Sequence, residues 1–352
     1  MFRNDSTQRY LKTQAPRWLG LCALAIQCAR PAFGTAAAEA PLVETTGTLV
    51  PAGAPAAPGY KTSLEVLAAI GRKEIALIAP PTNLPAAIRE EKNLEYGKVG
   101  NRSLRLDLFR PEKPGKAVPG LIFIHGGGWS GGDRTMLRYY AVRYAEKGYV
   151  TACLSYRLSG EAPFPAAVQD CKCAVRWLRE NAGTYGVDPA KLGVIGGSAG
   201  GHLAMMVGYS AGVADLEGDG GHAAASSRVQ AVVNFYGVYD MTTPFARHAG
   251  PVVQFLGDKP YEDAPDRYLR ASPSRYLDKQ APPTLILHGT IDDLVPISQS
   301  DALAARLKEL GVPFVYDRLP GWPHAMDLAV AVNERCQFFM NDFFARYLPL
   351  PK

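Results

Sequence analysis

The 352-residue chain is poor in the residues that build metal and cofactor sites. It has only six histidines and six cysteines, and their spacing does not match a metal site. Its Gly-rich runs lack the lysine of a phosphate-binding loop, and it has no basic stripe with interleaved aromatics of the kind that binds nucleic acids. We therefore expect no metal, no cofactor and no nucleic-acid partner.

The chain also lacks a long apolar run near its start. Residues 18–29 are apolar, but crossing a membrane needs roughly 20 such residues. A basic segment precedes this run and small residues follow it at 34–40, which is typical of a secretory signal peptide. We expect residues 1–38 to be a signal peptide and the mature protein to be periplasmic or secreted, without stable membrane insertion. An uncleaved anchor or a cytosolic tail is the alternative.

The remaining chain divides into a linker, an arm and one domain. Residues 39–92 begin as a Pro- and Ala-rich linker and continue as an N-terminal arm whose role the sequence leaves open. From 93 to 350 the pattern becomes regular, and the 47% hydrophobic content of the chain allows a large core. We expect these residues to form a single domain.

Short apolar runs alternate with helical stretches along this domain. Residues 94–99 and 104–109 alternate around a Gly-Asn pair, which predicts an antiparallel hairpin. Further strands are predicted at Leu121–His125, Val150–Ser155, Leu192–Gly196, Val229–Phe235, Thr284–His288 and Phe314–Arg318. This alternation predicts the α/β class with a mostly parallel, doubly wound sheet. In such sheets the functional residues lie at the carboxyl ends of the strands.

A serine follows one of these strands in the pattern Gly-x-Ser-x-Gly. Ser198 lies between Gly196 and Gly200, after a predicted strand and before a helical run. A serine on so tight a turn needs very small residues two positions away on either side. We therefore predict Ser198 as the nucleophile, with a plain glycine turn as the alternative.

A serine becomes a good nucleophile only beside a base that a carboxylate orients. His324 follows the last predicted strand, and Asp292 follows the strand before it. This is the chain order of serine, acid and histidine that suits such a sheet. The sequence therefore predicts a catalytic triad of Ser198, His324 and an acid, for which Asp292 is one candidate. Asp293 is the alternative acid, although its position also suits a carboxylate at the start of a helix.

Three consecutive glycines follow the predicted strand at 121–125. Without Cβ atoms, the backbone N–H groups of such a run can approach a substrate carbonyl. Donors of this kind stabilise the oxyanion of acyl transfer, each by about 3 kcal/mol. The neighbouring His125, and His202 in the helix after the serine, are predicted to be structural.

Two features remain open in the sequence alone. Residues 241–280, between two predicted strands, carry several aromatic side chains, and we expect them to form a small cap over the site. Ordinary packing beside the sheet is the alternative. The cysteines that remain after the leader are either buried thiols or partners in a disulfide. They are Cys153, Cys171, Cys173 and Cys336.

These motifs resemble those of bacterial feruloyl-esterase-like and hormone-sensitive-lipase-like serine esterases of the α/β-hydrolase superfamily. The matching stretches include LIFIHGGGWSGGD (121–133), IGGSAGGHLA (195–204) and PPTLILHGTIDDLVPISQS (282–300). The resemblance implies that Asp292 is the triad acid and that Gly127, Gly128 and Ala199 form the oxyanion hole. Gly197 stands where lipase-like relatives carry Asp or Glu, which favours the feruloyl-esterase-like branch.

We expect a serine carboxylic-ester hydrolase that acts through an acyl-enzyme on short-chain, aromatic or carbohydrate-linked esters. A prolyl-oligopeptidase-type peptidase would need a β-propeller, for which roughly 50 residues between leader and core are too few. A non-catalytic binding protein on this scaffold typically lacks the histidine, whereas His324 is present.

The leader gives a first testable prediction. The mature chain should begin between about residues 34 and 41, where the small residues suit cleavage by a signal peptidase. Mass spectrometry of the N-terminal peptide of the protein from its native host measures this directly. A mature chain that retains residues 1–33 would contradict the prediction.

Overall fold

The computed structural model of the protein describes residues 53–79, 81, 83–113 and 115–352. The predicted signal peptide at residues 1–38 and the first part of the predicted linker lie outside this range. No helix of the described part has both the length and the apolar character that crossing a membrane requires.

Eight strands form a single sheet with the order β1-β2-β4-β3-β5-β6-β7-β8. Strands β1 and β2 pair antiparallel, as do β2 and β4, and the remaining pairs are parallel. This confirms the predicted α/β class with a mostly parallel sheet. The strands are β1 Ile88–Val99, β2 Arg102–Pro111, β3 Val118–Ile124, β4 Val150–Leu154, β5 Val187–Gly197, β6 Ala231–Phe235, β7 Thr284–Gly289 and β8 Phe314–Leu319.

Helices connect the strands and cover both faces of the sheet. Those of the described residues are α1 Ser63–Gly71, α2 Arg138–Glu146, α3 Ala166–Glu180, α4 Ala182–Tyr185, α5 Ala199–Tyr209, α6 Ala214–Glu217, α7 Pro244–His248, α8 Gly250–Phe255, α9 Pro265–Arg270, α10 Ser298–Leu310 and α11 Val330–Tyr347. Short 3₁₀ turns lie at Arg134–Leu137, Tyr261–Asp263, Pro273–Arg275 and Met326–Leu328.

Two apolar cores lie on opposite faces of the sheet. On β3, Ile122 and Ile124 point into the core beneath α3, α5 and α10, whereas Leu121 and Phe123 point into the core beneath α2 and α11. Successive side chains of a strand face opposite ways, so a strand covered on both sides needs a continuous apolar run. The functional loops are therefore left at the carboxyl edge of the sheet.

The N-terminal arm, residues 57–78, packs against this edge. Tyr60 donates its N–H to the carbonyl of Gly321 at 2.8 Å, and its ring meets the ring of Trp322 edge-on with centroids 5.6 Å apart. The Trp322 indole N–H donates to the carbonyl of Ala57 at 3.1 Å. Part of the segment predicted to be a linker therefore supports the loop that carries His324.

The segment at 241–280 packs on the glycine loop at 126–128. A Cβ built on Gly128 would lie 3.3 Å from Cβ of Pro251 in α8. Phe255 of the same helix stacks on Trp129 with ring centroids 4.7 Å apart. The segment is thus a small cap next to the glycine loop.

The structure answers the question that the sequence left open about the cysteines. Within the part of the chain that it describes, all four are free thiols and all are buried. They are Cys153, Cys171, Cys173 and Cys336. They therefore pack as small apolar side chains.

An ion pair joins the loop after β4 to helix α3. Arg157 donates through Nη2 to Oδ1 of Asp170 at 2.7 Å and through its backbone N–H to Oδ2 at 2.8 Å. The side chain of Asp170 is only 1% exposed. Two residues after Arg157, Ser159 donates its N–H to the carbonyl of Trp129 at 2.8 Å. The same loop is thereby bound to the residue that follows the glycine loop.

Removing one partner of this pair should be costly. We expect Asp170→Ala to lower the free energy of unfolding by about 3–5 kcal/mol, because it leaves the Arg157 side chain, which is only 12% exposed, without its counter-charge. Glu161→Ala is the matched control, because it breaks the pair of Glu161 with Arg102, whose side chains are 39% and 49% exposed. The control should cost less than about 1 kcal/mol. Urea unfolding of both variants measures the difference, and equal losses would contradict this account.

Candidate active site

Ser198 lies on a sharp turn between β5 and α5. Its φ of 58° and ψ of −123° place it outside the ordinary regions for a side-chain-bearing residue. A Cβ on Gly196 would lie 2.1 Å from the carbonyl oxygen of Gly200, and one on Gly200 would lie 2.1 Å from that of Ile124. The predicted need for glycine on both sides of the serine therefore has a steric cause.

The structure brings the three residues of the predicted triad into one hydrogen-bonded line. Ser198 Oγ lies 2.8 Å from Nε2 of His324. Nδ1 of the same imidazole lies 2.7 Å from Oδ2 of Asp292. A carboxylate only accepts, so Nδ1 carries the proton and Nε2 offers a lone pair to the serine hydroxyl. This is the arrangement in which an imidazole can act as a base towards a serine.

Asp292, and not Asp293, contacts the imidazole. Asp292 is buried, and its Oδ1 accepts the backbone N–H groups of Leu294 and Val295 at 2.9 and 2.8 Å. Asp293 is exposed to solvent. The carboxylate that bonds the imidazole is therefore that of Asp292, while Asp293 lies in solvent.

Burial alone would raise the pKa of Asp292, but its partners outweigh this effect. The charge and hydrogen bond of His324, together with those of His288, hold the pKa of this carboxyl well below its usual range. The acid therefore stays ionised.

His288 is a second histidine on the same carboxylate, and sequence reasoning missed this role. Its Nε2 lies 3.1 Å from Oδ2 of Asp292, and its Nδ1 lies 2.8 Å from Oγ of Ser300. The side chain is fully buried at the end of β7. His288 directly precedes Gly289 and the loop that carries Asp292, and this position was the available signal. The neighbouring residues do not show which atom it contacts.

The loops that carry the acid and the histidine are fastened to each other. Thr290 donates its N–H to the carbonyl of Leu319 at 2.9 Å, and Ile291 donates to that of Trp322 at 3.2 Å. A Cβ on Gly289 would lie 2.0 Å from the carbonyl oxygen of Trp322. Glycine is therefore required at this close approach, which sets the distance between acid and base.

The glycine loop lies next to the serine, as the sequence predicts. A Cβ on Gly126 would lie 3.3 Å from Cβ of Ser198. Gly127 and Gly128 have φ of 108° and 58°, in the region that favours glycine. Among the described residues, we find no acceptor for the N–H of either glycine. The N–H of Ala199 is a third donor here, because it opens α5 and the first N–H groups of a helix have no partner within the helix.

The other two histidines near the site have structural contacts. His202 accepts from Nε1 of Trp129 at 3.1 Å and donates through Nε2 to the carbonyl of Ala271 at 2.7 Å. His125 stacks on Tyr156 with centroids 4.2 Å apart and bonds the carbonyl of Gly126. Burial lowers the pKa of each to about 4. Both are therefore neutral around pH 7 and support the glycine loop.

Comparisons with known proteins agree with this geometry. A family model described as BD-FAE matches residues 106–307. Esterase LipQ of Mycobacterium tuberculosis is 37% identical over 259 residues, which are 70% of this chain and 59% of LipQ. The probable carboxylic ester hydrolase LipM of the same organism is 34% identical over 67% of this chain and 56% of its own length. The chain thus spans somewhat more than half the length of these curated relatives.

Solved structures share the fold. A truncated carbohydrate esterase from gut microbiota superposes with a TM-score of 0.67 and 28% identity, covering 77% of this chain and 99% of that one. A thermophilic esterase from Thermogutta terrifontis, Est2, gives 0.64 and 27%, covering 78% and 96%. These neighbours confirm the α/β-hydrolase fold that the sequence motifs predict.

The site should contain one unusually reactive serine. We expect a fluorophosphonate probe to label the protein, and Ser198→Ala to reduce labelling to background, because the hydroxyl of Ser198 faces the imidazole of His324 next to the glycine loop. Ser130→Ala, which removes an exposed serine of the neighbouring loop, is the control and should keep full labelling. Mass spectrometry of the labelled peptide identifies the site. Full labelling of the Ser198→Ala protein would refute the assignment.

Proposed function

The chain belongs to the BD-FAE family, and on this basis we propose that it is a serine carboxylic-ester hydrolase. The observation that carries the proposal is the line of hydrogen bonds from Ser198 through His324 to Asp292, at 2.8 and 2.7 Å, next to the glycine loop. The esterases among its relatives support the same activity.

The proposed reaction begins with attack of the serine oxygen on the ester carbonyl carbon. The proton of Ser198 passes to Nε2 of His324, and the resulting imidazolium is stabilised by the carboxylate of Asp292. The carbonyl oxygen becomes an oxyanion that accepts from the N–H groups of Gly127, Gly128 and Ala199. These donors are in place before substrate arrives, so little reorganisation is needed when the charge develops.

Collapse of this intermediate releases the alcohol. The imidazolium returns its proton to the alcohol oxygen as the C–O bond breaks, which leaves the acyl group on Ser198. A water molecule then gives a proton to Nε2 of His324 and attacks the acyl carbon. The carboxylic acid leaves and the serine regains its proton, so the same three side chains serve both halves of the reaction.

We further propose that the substrates are short-chain, aromatic or carbohydrate-linked esters. The cap is built from helices of only five or six residues, with Pro251 of α8 against Gly128. So short a cap offers little apolar surface to a long acyl chain. Among the structural neighbours, one is described as a carbohydrate esterase, and Est2 of Thermogutta terrifontis has a propionate-bound structure.

The two adjacent aspartates provide a matched test of the mechanism. Asp292→Asn should lower kcat by about 10³–10⁴-fold, because the amide no longer holds the imidazole in the required tautomer. Asp293→Asn removes the same charge one residue away on an exposed side chain and should keep kcat within about twofold. Steady-state hydrolysis of a soluble aryl acetate measures both. A larger loss for the Asp293 variant would show that the assigned acid is wrong.

A substrate panel tests the proposed specificity. Acetyl, propionyl, feruloyl and acetylated-oligosaccharide esters should be hydrolysed with higher kcat/KM than emulsified long-chain triglycerides, because the cap is small. The Ser198→Ala protein is the blank for each substrate. Preference for the long-chain triglycerides would overturn the specificity, and no turnover of any ester by the unmodified protein would overturn the proposed activity.

A further inference from the structure

Tyr236 has an unusual backbone conformation directly beside the triad. It follows β6 with a φ of 40°, in the left-handed region that a bulky side chain rarely adopts. Its N–H is held by the carbonyl of Leu287 at 3.0 Å. Strained residues of this kind persist only where the surrounding structure enforces them, and they concentrate at functional sites.

The strained backbone places the ring of Tyr236 against the imidazole of His324. The two ring centroids are 4.5 Å apart with an interplanar angle of 55°. The ring is fixed from its other end, because the hydroxyl of Tyr236 donates to Oδ1 of Asp327. Asp327 is only 4% exposed. An aromatic ring whose two ends are both held can restrict the movement of a group packed on it.

Further hydrogen bonds hold Asp327 in place. Tyr140 donates its hydroxyl to the other oxygen, Oδ2, of Asp327 at 3.1 Å. Asn333 donates to the backbone carbonyl of Asp327 at 2.9 Å and to the hydroxyl of Tyr140 at 2.7 Å. Burial raises the pKa of Asp327, and the two phenol hydroxyls oppose that rise. The carboxyl is thus a second acidic group behind the histidine, separate from the triad acid.

We infer that Tyr236 is a positioning residue for His324, with Asp327 as its anchor. This inference rests on the proposed hydrolase function. The hydrogen bond to Asp292 fixes one nitrogen of the imidazole but leaves the ring free to rotate about that bond. The ring of Tyr236 closes one side of this rotation, so that Nε2 stays directed at Ser198.

The contact is expected to act on the transition state more than on substrate binding. An aromatic face attracts a cation, and His324 is a cation only after it takes the serine proton. An interaction that strengthens at this point raises kcat with little change in KM.

The same arrangement accounts for Gly197, since a Cβ there would lie 3.2 Å from the hydroxyl oxygen of Tyr236. The anchored tyrosine therefore leaves little room for an acidic side chain before the nucleophile.

Two tyrosines on one carboxylate provide the matched experiment. Tyr236→Phe and Tyr140→Phe each remove one hydroxyl donor to Asp327, but only Tyr236 contacts His324. We expect kcat for a soluble aryl acetate to fall about fivefold in Tyr236→Phe and about 30-fold in Tyr236→Leu, with KM within about twofold. Tyr140→Phe should keep kcat within about twofold, although its midpoint of unfolding should fall at least as much as that of Tyr236→Phe, because the Tyr140 hydroxyl also accepts from Asn333.

The pH dependence separates positioning from a general loss of stability. Without the aromatic face the imidazolium is less stable, so it loses its proton at lower pH. The acid limb of kcat/KM in Tyr236→Leu should therefore move to lower pH, whereas Tyr140→Phe should superpose on the unmodified protein. Asp292 and Asp327, the acidic groups that face His324, are retained in each of these variants.

The outcomes distinguish this inference from the proposed function. If the unmodified protein hydrolyses esters and the Tyr236 variants match Tyr140→Phe in kcat and pH profile, the inference is wrong and the function stands. If the unmodified protein hydrolyses no ester, the proposed function is wrong, and the rate of fluorophosphonate labelling of Ser198 tests the inference instead. That rate also depends on His324, so equal rates in the Tyr236 and Tyr140 variants would overturn the positioning role.

Discussion

The buried carboxylate of Asp292 is the constraint on which the rest of the site depends. A charge in this position is tolerated only because the imidazoles of His324 and His288 and the N–H groups of Leu294 and Val295 surround it. Together these partners fix the shape of the loop that carries Asp292 and the tautomer of the His324 imidazole. The lone pair that faces Ser198 is therefore a consequence of how one acidic group is kept charged inside the protein.

The parts of the site that could be predicted from the sequence are those governed by local sterics. Gly196 and Gly200 must flank the serine because their Cβ positions are occupied by carbonyl oxygens within the same turn or the neighbouring strand end. The glycines after β3 follow the same logic, because backbone N–H groups can meet a substrate only where side chains are absent. Such requirements leave a pattern within a few residues of the functional atom, and sequence reasoning can find them.

The supporting residues leave no such pattern. His288, Tyr236 and Asp327 come from three separate segments, and each acquires its role only when folding brings it to a particular atom of the triad or its support. A histidine at a strand end or a tyrosine after a strand is common in any α/β protein. The role of the arm stayed open for a related reason, since the arm is held partly by backbone carbonyls, which carry no sequence signal.

Because the arm packs on the loop that carries His324, the segment that the family model matches is shorter than the segment that builds the site. The family match covers 106–307 and contains the serine, the glycine loop and the acid. His324 lies beyond the end of this match, on a loop whose Trp322 contacts Ala57 and Tyr60 of the N-terminal arm. The middle of the chain therefore holds the serine and the acid, while the histidine between them and the arm that supports its loop come from the two flanks. Sequence changes in those flanks therefore alter the surroundings of His324 without changing the segment that identifies the family.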